Sequence, residues 1–517
     1  QNSALTADRL NDYYAAVSND AGYAEPKVKS TASCCPVTTQ ITYLRLFHIL
    51  DKLRPTAMGL DNIPAWFLRI GAPFFAAPLA DIMNLSLASS VVPRQWKSAS
   101  ILPIPKISTP LEPADYRPIS ITPVLSRVLE RIVVTDYIYP SLQYPPPGLS
   151  FSDQYAFQPS ASTTAAIIHF LYVTTNLLKT NQYVIVYALD FSKAFDSVRQ
   201  SAVLEKYSRL RLPDNIYNWI VAFFQDHEHC TRFGESVSQF QPILASLIQG
   251  SAIGPASYVV TASDLRPVSP GNSIDKYADD TYLIIPAVKA HTCASEIANV
   301  EAWAANNNLT LNRLKSVEIV FVAPRSRRAV LVPSPAVNGF QRVDAIKMLG
   351  VTIGRRFSVT DHVDQLLAAC AQTLFALRTL RQHGLPTDAL HVIFQATVIA
   401  KLTYASPAWW GFASADDRAR LVAFVRRSVR LGYCSASSPS LDSICAKADD
   451  RLFERITRNS GHLLHHLLPP PRDNHYELRH RSHNYALPPR TSTVNDCNFL
   501  LRMLYKDLNY STFSQSG

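Results

Sequence analysis

Tyr277-Ala278-Asp279-Asp280 stands between two short runs of strand character, Ser273-Ile274-Asp275-Lys276 before it and Thr281-Tyr282-Leu283-Ile284-Ile285 after it. Short apolar or β-branched runs flanking turn residues read as a hairpin, which puts two adjacent carboxylates at its tip. Upstream, the apolar run Tyr183-Val184-Ile185-Val186-Tyr187-Ala188-Leu189 ends abruptly in Asp190. Its length and unbroken character predict a buried strand whose last residue emerges as a third carboxylate. If the two strands are neighbours in one sheet, all three acids point at one spot.

Such convergence is costly without a cation. Two like charges about 4 Å apart repel by roughly 4 kcal/mol at an effective dielectric near 20. Divalent ions remove that penalty, and Mg²⁺ favours one or two carboxylates plus substrate phosphates over an all-protein cage. Two ions roughly 3.5–4 Å apart can activate a 3′-hydroxyl and stabilise a leaving pyrophosphate in an in-line displacement. Nucleotidyl transfer is therefore the first expectation. A plain polar turn also uses Asp-Asp, since Asp is common in turns, and the surrounding segments weigh against that reading.

The 517 residues allow about three domains, and 47% hydrophobic content supplies real cores. A net charge of +10 suits a polyanionic partner. The eight cysteines contain no Cys-x-x-Cys pair, and Cys34-Cys35 are adjacent; they read as reduced, mostly buried thiols of an intracellular protein. No apolar stretch approaches the ~18 residues of a membrane span, and no basic-then-hydrophobic signal opens the chain. It starts at Gln1 in a polar helical stretch, Thr6-Ala7-Asp8-Arg9-Leu10-Asn11-Asp12-Tyr13-Tyr14, and reads as a piece of a longer product.

Residues 20–38 are polar, contain proline and lack periodicity, as in a loop or linker. Helical spacing follows over 39–53 and 73–89. Ala99-Ser100-Ile101-Leu102-Pro103-Ile104-Pro105-Lys106 is expected as an edge strand, because its prolines cannot donate to a ladder. Helices are expected over 124–139, 163–178, up to 224, within 250–263 and over 291–307, and strands before Asp190 and over 317–322. This mixture argues for an α+β layer. From Val359 the pattern is helical: Val363, Leu366, Leu367, Cys370, Leu374 and Leu377 form one stripe, read as core. The tail carries His462, His465, His466, His475, His480 and His483 beside Arg472, Arg479, Arg481 and Arg490. Without Cys at zinc-ligand spacing it reads as a solvated basic arm that touches phosphates, in preference to a metal site.

Together these segments resemble the reverse transcriptases of non-LTR (LINE-type, jockey-like) retrotransposons, over about 51–357. The resemblance rests on Ile101-Leu102-Pro103-Ile104-Pro105-Lys106, Tyr116-Arg117-Pro118-Ile119-Ser120, Phe157-Gln158-Pro159-Ser160-Ala161-Ser162-Thr163-Thr164 and Ala188-Leu189-Asp190-Phe191-Ser192-Lys193-Ala194-Phe195-Asp196-Ser197-Val198. Gln249-Gly250-Ser251-Ala252-Ile253-Gly254-Pro255, the Tyr-Ala-Asp-Asp hairpin, Asn312-Arg313-Leu314-Lys315-Ser316 and Leu349-Gly350-Val351 complete it. Pro469-Pro470-Pro471-Arg472 and Arg502-Met503-Leu504-Tyr505-Lys506-Asp507 look like the family's C-terminal region.

The resemblance implies that Asp190, Asp279 and Asp280 are metal-binding and catalytic, with Phe191 beside Asp190 counted at the metal and nucleotide. Two Mg²⁺, replaceable by Mn²⁺, are implied. Phe195 becomes a steric gate against a 2′-OH, where residue type alone gives a core aromatic. Gln249 and Gly250 support the templating base and incoming sugar; otherwise the glycine simply serves a turn. Lys315 is expected at the triphosphate as a catalytic cation, Arg117 and Lys106 as nucleotide or template contacts. Their bland alternatives are solvated or ion-paired surface cations. The implied partners are an RNA template, a DNA primer or target and dNTPs, with no membrane; the implied site of work is intracellular, in the nucleus.

The implied fold is a right-hand polymerase, α+β, with fingers, an antiparallel-sheet palm and a helical thumb. Its expected divisions are an N-terminal helix and linker (1–38), fingers (39–182), palm (183–357), thumb (358–460) and a basic C-terminal region (461–517). Two departures stand out. Phe157-Gln158-Pro159-Ser160 replaces the Phe-Arg-Pro-Gly of many relatives and removes a cation, and nothing resembles the endonuclease such elements carry upstream. A catalytically silent nucleic-acid-binding remnant and an RNA-dependent RNA polymerase are the rival readings.

Overall fold

The computed structural model describes residues 5–30, 39–324, 336–435, 437–471, 483–490 and 492–506. The chain forms two compact units: Gln1–Gln158, Phe191–Leu265 and Ala298–Leu311 in the first, and Pro159–Asp190, Arg266–Ile297 and Asn312–Gly517 in the second.

In the second unit, five strands run in the order Gln341–Val343, Val317–Val322, Tyr183–Leu189, Asp280–Pro286, Ser273–Tyr277. All pairings are antiparallel except the edge pair Val317–Val322 with Gln341–Val343. The central strand reads as an unbroken apolar run because both its faces are covered. Phe170, from the helix Thr163–Leu177, packs on Tyr282 and Phe321 with ring centroids 5.8 Å from each. Phe357 lies 4.9 Å from Phe321. Ser162 starts that helix by accepting the N–H of Ala165 on its hydroxyl, so one orphan donor of the first turn is satisfied. Inside this unit Glu318 is fully buried yet held, by the Tyr187 hydroxyl at 2.6 Å and the Arg342 guanidinium. A buried carboxylate needs that company.

The sequence shows no obvious signal for a further hairpin, Ala345–Met348 with Val351–Gly354. Its two-residue turn is Leu349-Gly350, at φ 46° and 88°. Two positive φ values are what a right-twisted hairpin asks of its shortest loop, and only the glycine advertises them. Long helices follow it, at Thr360–Gln382, Ala415–Arg430 and Leu441–Arg458. Val363, Leu366, Cys370 and Leu377 of the expected stripe are buried.

The His-rich tail departs from expectation where it is described. His462 is buried and accepts the Leu464 N–H on Nδ1, and burial pushes its pKa down to about 4. The Leu463 N–H donates to Ser160, and the His466 ring packs 5.7 Å from that of His169. His483 donates from Nε2 to the Leu504 carbonyl at 3.0 Å. Over these residues the expected solvated phosphate-binding arm is instead engaged with the fold, with His462 buried, His466 against His169 and His483 on the Leu504 carbonyl. The reason is local sequence: Leu463, Leu464 and Leu467 flank the histidines, and the buried Leu464 draws His462 inward. Arg472, His475, Arg479, His480 and Arg481 lie outside the described residues.

In the first unit, Ser98–Pro105 is not an edge strand. It pairs antiparallel with Tyr116–Ile121 on one side and parallel with Glu228–Phe233 on the other. The expectation fails because the prolines sit where they cost nothing: the parallel ladder uses only Ser98 to Ile101, and Pro103 faces Pro118 across the other. Neither of that pair has a donor to lose. The helix Ala7–Val17 lies on this sheet through Leu10 and Tyr14, which pack with Ile101 and Tyr116. Asn11 bridges to Gln239 and Thr231. Residues 20–30 have no regular structure but are tied down, through Tyr217 to Lys27 and Asn218 to Lys29. All six described cysteines are free thiols, five of them buried. No helix among the described residues is long and apolar enough to cross a membrane.

Phe321 anchors the sheet side of the second unit, so Phe321→Ala is expected to cost about 3–5 kcal/mol. Urea unfolding followed by tryptophan fluorescence will show it as a lowered midpoint.

Candidate active site

The second unit assembles the acids through register. Tyr183–Leu189 pairs with Asp280–Pro286 so that Leu189 faces Thr281. One step further along the two antiparallel chains, Asp190 comes opposite Asp280. Directly opposed residues in such a pair have Cα atoms about 4.5–5.5 Å apart. The hairpin itself closes at the Tyr277 to Asp280 pair, leaving Ala278-Asp279 as a two-residue tip. Ala278 has φ 55°, a left-handed conformation that glycine adopts freely and alanine only with strain of about 1–2 kcal/mol. The tip is therefore held in shape by its neighbours.

Electrostatics confirms the gathering. Asp280 is pushed up to about 6, first by desolvation, then by the like charges of Asp279 and Asp190. Its side chain keeps open surface, so this is a shielded group at a mouth. Asp190 is also raised by desolvation, against the pull of Lys315. Lys315 thus stands by Asp190, exposed on the turn 312–316.

That turn does a second job which the residue types did not announce. The Asn312 N–H donates to the Asp190 carbonyl at 2.8 Å, and the Asp190 N–H donates to the Ser316 hydroxyl at 3.0 Å. The hydroxyl in turn donates to the Asn312 carbonyl at 2.7 Å. Asp190 is thereby fixed by main-chain bonds on both its peptide groups, though it lies beyond the last ladder pair.

A hard, all-oxygen donor set of neighbouring carboxylates is chemically suited to Mg²⁺ or Mn²⁺. Among the described residues, no three His, Cys, Asp or Glu side chains are gathered tightly enough to enclose an ion by themselves. An open carboxylate site that leaves positions for phosphate oxygens and water agrees with how Mg²⁺ is usually held.

The first unit carries the other expected residues. Phe195 is half-buried, stacked on Tyr258 with centroids 4.7 Å apart and planes 20° apart, and meets Phe157 edge-on. Gln249 donates from Nε2 to Asp196 at 2.7 Å, and its carbonyl accepts the Ser120 N–H at 2.8 Å. Gly250 has φ 120°, and a Cβ there would lie 2.1 Å from the Ser120 carbonyl oxygen, so no other residue fits. Arg117 is exposed and Lys106 donates to the Ala114 carbonyl; the charges of both, with Lys193, act on Asp196. The Phe191 ring is core, edge-on to Trp303 at 5.6 Å, so any role at a metal or nucleotide falls to its main chain. Gln158, at the departure from the family pattern, spends its amide on the carbonyls of Phe151 and Gln154.

Residues 104–353 match the family model described as reverse transcriptase (RNA-dependent DNA polymerase). Over these residues the chain is similar to the reverse transcriptases of retrotransposons. It is 27% identical over 306 residues to the RNA-directed DNA polymerase from mobile element jockey of Drosophila melanogaster, covering 56% of this chain and 32% of that one. To the probable RNA-directed DNA polymerase from transposon BS of the same fly it is 25% identical, over 75% of this chain and 44% of the other. The chain thus spans less than half the length of these relatives. Among solved structures it is similar to telomerase from Candida tropicalis at 13% identity and TM-score 0.37, covering 72% and 67% of the two chains. A sicinivirus RNA-dependent RNA polymerase aligns at 12% and 0.39, covering 72% and 70%.

Sequence reasoning missed Asn312 and Ser316 as supports of Asp190, and Glu130. The Glu130 carboxylate is wholly buried and accepts the N–H groups of Ala252 and Ile253 at 2.6 and 3.4 Å. The signal was an acid at an inward-facing position of the largely apolar helical run Val128-Leu129-Glu130-Arg131-Ile132-Val133.

Two outcomes follow from this geometry. Ala278→Gly relieves the left-handed strain and is expected to raise thermal stability slightly while lowering kcat, because Asp279 is held less firmly; differential scanning calorimetry beside steady-state kinetics reads both. Asp196 is raised to about 6, chiefly by desolvation, with Gln249 and the nearby cations opposing. Its folded pKa exceeds its unfolded one, so its contribution is full below about pH 4 and is lost as pH rises to about 6. Asp196→Asn should flatten that part of the pH–stability curve by about 3 kcal/mol, measured as urea midpoints from pH 4 to 7.

Proposed function

We propose that this chain is an RNA-directed DNA polymerase that extends a primer 3′-OH with deoxynucleoside triphosphates, as in retrotransposition. The observation that carries the reading is the register of Tyr183–Leu189 against Asp280–Pro286, which sets Asp190 opposite the Asp279-Asp280 tip. Asp190, Asp279 and Asp280 are the residues that would hold two Mg²⁺, and the ions, when bound, would lower the pKa of the primer hydroxyl and neutralise the leaving pyrophosphate.

The protein's own share is positioning and charge. The Asn312–Ser316 turn holds Asp190 in place and presents Lys315, whose ammonium balances acid charge and can meet a triphosphate. Phe195, backed by Tyr258, offers a rigid ring as the wall against a ribose 2′-OH. Arg117, Lys106 and Lys193 supply cations for nucleotide or template phosphates. The overall +10 charge favours an RNA template and DNA primer held by their backbones.

Primer extension on an RNA template, with dNTPs and rNTPs compared in Mg²⁺ and in Mn²⁺, tests this. The wild-type chain should incorporate dNTPs, and Asp279→Asn should lose at least about 100-fold in rate while retaining RNA binding in a filter assay. Wild-type inactivity with both metals would favour the silent remnant. Equal or better use of rNTPs would favour an RNA polymerase.

A further inference from the structure

The stretch 246–253 of the first unit is tied to its surroundings more heavily than a turn requires. The Leu247 N–H donates to the Phe195 carbonyl at 2.7 Å and the Ser246 N–H to the Val198 carbonyl at 3.0 Å. Between them Asp196 takes the Gln249 amide at 2.7 Å. The other side of the Gln249-Gly250 peptide is pinned by Ser120, so close that a Cβ at 250 is excluded. Glu130 then receives the first N–H groups of the helix Ile253–Thr261. The same helix carries Tyr258, the ring on which Phe195 stacks. Gate residue, backing ring and turn are thus parts of one block. In it Asp196 is the single side chain joining the segment of Phe195 to the side chain of Gln249.

We propose that Asp196 is a positioning residue for sugar selection, which acts through Gln249 to hold the Gln249-Gly250 turn against the Phe195 segment. A steric gate discriminates only as well as its opposite wall is fixed. A ribose differs from a deoxyribose by one hydroxyl, and pocket shape alone separates such pairs by roughly 10- to 200-fold. Freeing the Gln249 side chain lets the turn recede and admits the extra oxygen. The proposal rests on the polymerase reading above and adds a role for a residue that touches neither the nucleotide nor a metal.

The test is a double-mutant cycle on the full chain with Asp196→Ala, Gln249→Ala and the pair, plus Asp196→Asn, whose Oδ1 still accepts the amide proton. The readout is the ratio of kcat/KM for a dNTP to that for the matching rNTP, beside the melting temperature of each variant. Asp196→Ala should lower the ratio roughly tenfold, the double variant should be no worse than Gln249→Ala, and Asp196→Asn should recover most of the loss. Residues acting through one contact are non-additive in this way. Additive effects, or a folded Asp196→Ala variant with reduced kcat but an unchanged ratio, would overturn the proposal while leaving the polymerase reading intact. A wild-type chain that incorporates nothing would sink both, and that outcome is told apart by the first lane.

Discussion

The second unit depends on a strand pairing that makes like charges meet. Leu189 facing Thr281 commits Asp190 to stand by the Asp279-Asp280 tip, and each carboxylate brought there raises the cost of ionising the others. Repulsion of about 4 kcal/mol per close pair at moderate dielectric is opposed by burial elsewhere in the same unit. The sheet's apolar residues, at about 1.5–3 kcal/mol for each fully buried large side chain, hold the strands in register whether or not the acids are content. The Asp280 carboxyl is raised first by desolvation and then by that conflict with Asp279 and Asp190.

Support for the acids comes from hydrogen bonds that a pairwise list of catalytic residues omits. Asp190 sits one residue past its ladder, where a chain end would normally fray. Asn312 and Ser316 replace the missing rungs. In the first unit the same solution recurs, with Ser120, Asp196 and Glu130 satisfying the polar groups of the Gln249 turn. In both places the fold spends buried or half-buried polar groups on rigidity, which a preorganised electrostatic site requires.

Much of this was legible in the sequence. Tyr183–Leu189, Val317–Val322 and the acidic hairpin announce themselves because each is a short apolar run with a sharp polar stop. What stayed hidden has identifiable causes. Pro103 and Pro105 look like edge markers, but a strand can be central over Ser98 to Ile101 and proline-bearing beyond, and only the partner register reveals it. Leu349 takes a left-handed turn that its residue type disfavours, so the hairpin it closes gave little warning. The histidines near 462–466 read as solvated because composition counts them as polar, whereas His462 is buried and its pKa is pushed down by that burial. Asp196 gave no local signal of its role, and Glu130 only its place in a largely apolar helical run, since what they do is defined by a partner far away in sequence.

The antiparallel register described for the central strand also limits how this molecule can vary. Side chains alternate between faces with a period of two, so losing or gaining one residue between 183 and 189 would turn every following side chain to the opposite face and swing Asp190 away from the tip. Exchanges among valine, isoleucine and leucine there alter packing by modest amounts. A lineage could therefore rewrite this segment's spelling extensively, but not its letter count.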